Sequence, residues 1–271
     1  MRTRWIALAA LTLAVTACGS SGEQDAARTP EPATTPAPPS ETTSVADLMP
    51  DLVGLLAPEA GRRVGDLGLG SDWRTATVRC EARPGVVVRQ APAPGATLTG
   101  GSLVRLFAAR LDLDEFRGPC DAAELGPVTG ADAVLARAFY RFAADPSLGA
   151  PFVDGEVWTG IEDGLTATTV SPEQRADLAA WRLPGEYAER GGPFSALDVL
   201  AGSGGFYEVH RGVVGTCPGG NDAAPPELAG LRAISLTVPE DSIDSCLQWW
   251  GVTLFLDGDQ IRGVALRLGS P

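Results

Sequence analysis

The sequence predicts an α+β protein: a small domain of one helix and a three-stranded sheet, then a larger α+β domain that closes in an antiparallel meander. Three observations carry this expectation. A short helical period over 58–67 is followed by three extended runs separated by glycine and proline joints. A longer apolar stripe at helical spacing opens after residue 128, and four extended runs end the chain, the last two joined by Asp257-Gly258. Hydrophobic residues make up 44% and charged residues 20% of the chain, enough to bury a core.

Residues 1–18 read as an export segment. Arg2 and Arg4 form a short positive start, and the apolar stretch Trp5 to Val15 is too short to span a bilayer, which needs about 20 residues. It ends in Val15-Thr16-Ala17-Cys18-Gly19, which resembles the lipobox of bacterial lipoproteins. The resemblance implies that Cys18 is lipidated on sulfur and becomes the first residue, anchoring the chain to the extracytoplasmic face of the cell membrane. Two or more acyl chains anchor stably, whereas one does so marginally. Residues 19–44 carry Pro30, Pro32, Pro36, Pro38, Pro39 and five threonines, with no aromatic or branched aliphatic residue, and are expected to be a disordered linker. As polyproline II at about 3.1 Å per residue, it reaches roughly 80 Å.

The small domain spans 45–110. Met49-Pro50-Asp51-Leu52-Val53-Gly54 leads into a helix predicted over Pro58 to Leu67, with Leu56, Ala60, Val64 and Leu67 along one side, Pro58 in its first turn and Gly68 as stop. Strands are predicted at Thr75 to Glu81, Val86 to Gln90 and Leu103 to Ala108, the last expected to be covered on more than one side. The entry motif Met49 to Gly54, the run Pro84-Gly85-Val86-Val87-Val88-Arg89-Gln90-Ala91-Pro92-Ala93-Pro94-Gly95 and the closing Gly101-Ser102-Leu103-Val104 together resemble a PASTA domain, in a single copy and with an additional Cys80. The resemblance covers about a quarter of the chain. It implies an extracellular module of a kind often credited with binding peptidoglycan fragments.

Charge points the same way. Residues 45–110 hold eight arginines against six acids, a net of +2, whereas 121–271 hold nine against 21, a net of −12. Arginine's planar fork suits the carboxylates and phosphates of wall polymers. Arg62, Arg63, Arg79, Arg83 and Arg89 are therefore candidates, and Arg83, Arg89 and Gln90 lie within or beside the motif run.

With Cys18 assigned to lipid, Cys80, Cys120, Cys217 and Cys246 form an even set in an exported chain, which favours two disulfides among three possible pairings. We expect Cys80–Cys120, stapling the connector 111–119 to the small sheet, and Cys217–Cys246, closing a Gly/Pro-rich loop.

The domain 121–271 is expected to begin with a helix started near Thr129 to Asp132. Val134, Leu135, Ala138, Phe139 and Phe142 form its stripe, and Asp145-Pro146 ends it. A strand pair, Val157 to Ile161 and Leu165 to Val170, precedes Ser171-Pro172-Glu173-Gln174, which has the cap, proline and capping-box residues of a helix running to Trp181. A short helix at Phe194 to Ala201 leads to strands at Phe206 to Val214, Leu231 to Val238, Leu247 to Leu256 and Ile261 to Leu268. Helices first and a meander last suggest one sheet with helices on its concave face; a cystatin-like or NTF2-like cone is a fold-level analogy.

Composition excludes many chemistries. All 21 basic residues are arginine, so there is no phosphate-loop lysine, Ser-x-x-Lys nucleophile or Schiff base. One histidine, His210, rules out His-x-x-x-His zinc motifs and two-His iron triads. Asp257 and Asp259 lack the rest of a calcium loop. A net charge of −13 disfavours nucleic acid. No catalytic residue, metal site or cofactor is expected. A catalytic Cys217 beside His210 and an acid–base set of Glu156, Glu162 and Asp163 are the sharper alternatives, and an exposed Trp249 or Trp250 offers a sugar-stacking face. The expected function is a non-enzymatic, lipid-anchored cell-envelope protein whose PASTA-like module binds peptidoglycan or a wall-associated partner. The alternative is a carboxylate-based wall hydrolase targeted by that module.

Overall fold

The computed structural model describes residues 48–98, 101–121, 128–161, 166–183, 195–215 and 223–269. Residues 45–271 form one compact unit, separate from 1–44. Cys18 and the linker lie outside the described residues, as do Glu162, Asp163 and Cys217. Among the described residues no helix is long and apolar enough to cross a membrane.

The small sheet is built from α1 (Ala57–Asp66), β1 (Gly70–Val78), β2 (Val87–Ala91) and β3 (Leu103–Leu111). Its order is β1-β3-β2, with β1 parallel and β2 antiparallel to β3. Pro58 sits in the first turn of α1, where its missing N–H costs no hydrogen bond, and Gly68 ends the helix at φ +67°. Ala60 and Val64 of α1 close over Met49, Leu52, Val87, Val104 and Leu106. The expectation that β3 is covered on more than one side fails at its start, where Leu103 is 59% exposed. The core reaches only the side holding Val104 and Leu106.

The larger sheet has six strands in the order β5-β4-β9-β8-β7-β6: β4 (Val157–Ile161), β5 (Ala167–Val170), β6 (Glu208–Arg211), β7 (Arg232–Thr237), β8 (Trp250–Asp257) and β9 (Gln260–Leu268). The last four strands form the antiparallel meander, and β4 adds to its edge parallel to β9. Gly258 takes the first of two loop positions in the β8–β9 hairpin at φ +59°, the left-handed conformation that favours glycine. Side chains alternate across the sheet. Leu236, Val252 and Leu266 face α2 (Ala131–Ala144) and α3 (Ala196–Gly202), while Ala233, Phe255 and Ala265 face Leu228 on the opposite side. Phe139, Phe142, Phe152 and Trp181 pack ring to ring, with centroids 5.0–6.3 Å apart, in the layer under the helices.

Two sequence expectations are corrected here. Val134, placed in the apolar stripe of α2, is 68% exposed; Leu135, Ala136, Phe139, Tyr140 and Phe142 form the buried side instead. The capping box of Ser171 and Gln174 is present, but it opens a single 3₁₀ turn, Pro172–Gln174, rather than a helix to Trp181. Asp177 then caps a second 3₁₀ turn, Leu178–Trp181, because Trp181 must enter the aromatic layer and donate its indole N–H to the Arg175 carbonyl at 2.9 Å. The helix at 195–202 is as expected in extent, and its box pairs Ser195 with Asp198.

Asp132, in the first turn of α2, accepts from Arg211 at 3.1 Å and from Arg232, which also reaches Asp259 at 3.1 Å and the Gly258 carbonyl. This network ties α2 to β6, β7 and the β8–β9 hairpin. Burial alone raises the Asp132 carboxyl, but the two guanidinium hydrogen bonds outweigh it, and the net shift is downward. A depressed carboxyl stabilises the fold above its unfolded pKa of about 3.9 and loses that contribution as pH falls through the folded value. Asp132→Asn is therefore expected to lower stability at neutral pH by about 1 kcal/mol and to flatten the stability loss below about pH 4, read from urea midpoints across pH.

Gly251 of β8 lies under the Trp249 ring; a Cβ there would fall 2.6 Å from a ring carbon. Gly251→Ala is expected to cost about 1–3 kcal/mol by overpacking and to depress Tm accordingly, whereas Gly65→Ala, facing open space, leaves Tm unchanged or raised.

Candidate functional site

The motif residues of the small domain meet in space. Gln90 is 9% exposed, and its amide is fully employed: Oε1 accepts from the Leu52 N–H at 2.7 Å, and Nε2 donates to the Pro50 carbonyl at 2.9 Å and the Pro92 carbonyl at 3.2 Å. Gln90 therefore clasps the entry segment to β2 and offers nothing outward. Its place among the ligand candidates is corrected: it is a strut, because an extended run otherwise leaves the Leu52 N–H without a strand partner.

Arg83 is also committed internally. Its side chain is only 16% exposed, pairs with Asp241 at 3.0 Å, reaches the Ser242 hydroxyl and lies 5.4 Å over the Phe206 ring. Beside it Pro84 abuts Gly204, whose φ of +61° and lack of a side chain permit the approach. Arg83 thus docks the small domain on the larger one. Arg89, by contrast, is exposed, its guanidinium 3.7 Å from the Phe107 ring centroid. Arg62 is exposed, and Arg63 pairs with Glu59 one turn away on α1.

The connector between the sheets is pinned on both sides. Cys80, two residues past β1, is disulfide-bonded to Cys120 with Cα atoms 5.5 Å apart. The Cys120 N–H donates to the buried Tyr140 hydroxyl at 2.9 Å, and burial pushes that phenol's pKa up, keeping it neutral. Arg117 bonds Asp198 at 2.8 Å and the Ala143 carbonyl at 3.0 Å. Cys246 is disulfide-bonded as well; its expected partner, Cys217, lies outside the described residues.

Between these ties the two sheets leave an open cleft of about 510 Å³. Arg110 at the end of β3 lines one part and Arg182, just past the Leu178–Trp181 turn, another, while Phe206 and Trp250 supply half-buried aromatic surface. No sequence motif marks this cleft, since its residues come from positions 83 to 250 and only the docking of the two sheets assembles them. The remaining candidates stand apart. Glu156 is exposed before β4, and Glu162 and Asp163 are outside the described residues. His210 lies on β6, its Nε2 3.4 Å from Glu208. Trp249 is 6% exposed. Among the described residues no three His, Cys, Asp or Glu side chains gather as a metal site.

No family model, curated protein or solved structure matches the chain.

The two arginines of the motif region should separate cleanly by stability. Arg83→Ala is expected to lower the urea midpoint, since it removes a largely buried tie between the two sheets and uncovers Phe206; Arg62→Ala stays within about 0.5 kcal/mol. Gln90→Ala is expected to cost about 2 kcal/mol, because one buried and two half-buried backbone groups lose their partner.

Proposed function

We propose that the chain is a lipid-anchored cell-envelope protein, tethered through Cys18 on the extracytoplasmic face, that recognises peptidoglycan or a wall-associated partner without catalysing a reaction. The observation that carries this reading is the Gln90 clasp. The residues on which the PASTA resemblance rests, Met49 to Gly54 at the entry and Gln90 to Pro92 on β2, lock to one another through the side chain of Gln90. Motif spacing that closes into a working hydrogen-bond unit supports reading the segment as a folded recognition module. The Cys80–Cys120 disulfide is in keeping with an oxidising, extracytoplasmic setting.

Fractionation tests the anchor: Cys18→Ser is expected to release the protein from membranes or block its processing, and an unchanged membrane fraction contradicts it. Retention on insoluble cell wall tests recognition, using a soluble form that starts at residue 19. Retention should weaken as ionic strength rises through 0.10–0.15 M, where exposed charges are screened beyond about 8–10 Å. It should weaken further with Arg62 and Arg89 both replaced by Ala, two exposed arginines outside the cleft. No retention at low salt overturns the reading.

A further inference from the structure

We infer that the cleft between the two sheets is a binding site for an anionic sugar, a saccharide ring bearing a carboxylate or phosphate; this deepens the proposed wall recognition and rests on it. The first support is charge. The chain carries a formal net charge of −13, yet the cleft is lined by four arginines against three aspartates. One aspartate is charge-paired: Asp198 holds Arg117 and caps Ser195 at the start of α3. Asp112, which the backbone N–H groups of Asp114 and Glu115 orient without neutralising, and Asp114 are the competing carboxylates.

The arginines divide evenly. Arg83 and Arg117 are held in ion pairs that join the two sheets. Arg110 and Arg182 are exposed, line the same cleft and have no hydrogen-bond or ion-pair partner among the described residues. They come from different sheets' surroundings, one from β3 and one from the turn that seats Trp181. Two guanidinium forks on separate elements of one cleft, neither paired among the described residues, offer an oxyanion two grips, each through two N–H groups.

The second support is shape and surface. About 510 Å³ is within the range of small-molecule sites, and the half-buried faces of Phe206 and Trp250 give an apolar wall beside the cationic pair. A sugar ring presents an apolar C–H face and a polar rim, which this pairing of aromatic and guanidinium groups complements. The site is held rigid by groups that need not touch ligand: the Arg83–Asp241 pair, the Arg117–Asp198 pair and the disulfide at Cys120.

The test uses the soluble chain starting at residue 19 and three probes: N-acetylmuramic acid (carboxylate), N-acetylglucosamine 6-phosphate (phosphate) and neutral N-acetylglucosamine. Backbone and indole chemical shifts are followed during titration to about 10 mM. The expected result is saturable shifts at Arg110, Arg182 and Trp250 with an acidic sugar, and binding at least about tenfold weaker for the neutral one. Which acid binds more tightly tells carboxylate from phosphate as the source. The double variant Arg110→Gln, Arg182→Gln keeps both exposed side chains polar and is expected to fold normally while losing the acidic-sugar response. Equal binding of the neutral sugar, binding unaffected by the double variant, or no response to either acid overturns the cleft assignment. Wall retention that depends on Arg62 and Arg89 but not on Arg110 and Arg182 overturns the cleft alone and leaves wall recognition standing. Absence of both wall retention and acidic-sugar binding removes both readings.

Discussion

The geometry of residues 45–271 depends on the connector that leaves β3, because its residues Arg117 and Cys120 are fastened both to the small sheet and to the helices of the larger one. On one side the Cys80–Cys120 bridge holds it to the end of β1, closing a loop of 40 residues, which in the chain-entropy model contributes about 4 kcal/mol. On the other, Tyr140 accepts the Cys120 N–H and Arg117 joins Asp198 of α3 to the last turn of α2. A connector free to swing would let the small sheet reorient like a bead on a string. Fastened this way, it holds Arg83 within reach of Asp241 and Phe206, and the cleft between the sheets keeps a defined shape.

The larger sheet supplies the platform for that docking. Its central strands β7, β8 and β9 are buried on both sides, under helices and the aromatic layer on one face and under Leu228 and its neighbours on the other. Close approaches are made possible by glycines, as at Gly251 beneath Trp249 and Gly263 beneath Leu228. Burying Trp249 leaves its neighbour Trp250 half exposed at the cleft, since the chain turns from a 3₁₀ segment into β8 between them. A packing tryptophan thus stands next to one that lines the cleft.

Exclusive use of arginine gives the molecule two kinds of cation with one side chain. Where a guanidinium meets a carboxylate and a carbonyl or ring together, as at Arg83, Arg117 and Arg232, its several fixed donors join elements that are distant in sequence. Where no ion pair forms among the described residues, as at Arg62, Arg110 and Arg182, the same group is left for solvent or a ligand. In an acidic chain those unpaired positions are the ones that stand out against the prevailing charge.

The sequence by itself determined the class of fold and the extents of α1, α2 and the meander to within a few residues, and it left the Cys80–Cys120 pairing as the preferred one of three. The first two follow from short-range causes: apolar periodicity, Pro58 and Gly68 at the ends of one helix, and Asp257-Gly258 at a hairpin; the folded chain selects the pairing by bringing Cys80 and Cys120 together. Tertiary structure decided the rest. Whether Ser171 to Trp181 forms a helix depended on where Trp181 had to bury, and local capping residues carry no information about that. Gln90 and Arg83 read as candidate ligand contacts in the sequence because a polar side chain beside a motif looks the same whether it faces solvent or a backbone carbonyl. Only the folded chain gave each its partner. The parallel addition of β4 to β9 and the placing of Arg110 and Arg182 on one cleft join residues some 70 to 105 positions apart, and no local pattern in the chain encodes such a distance.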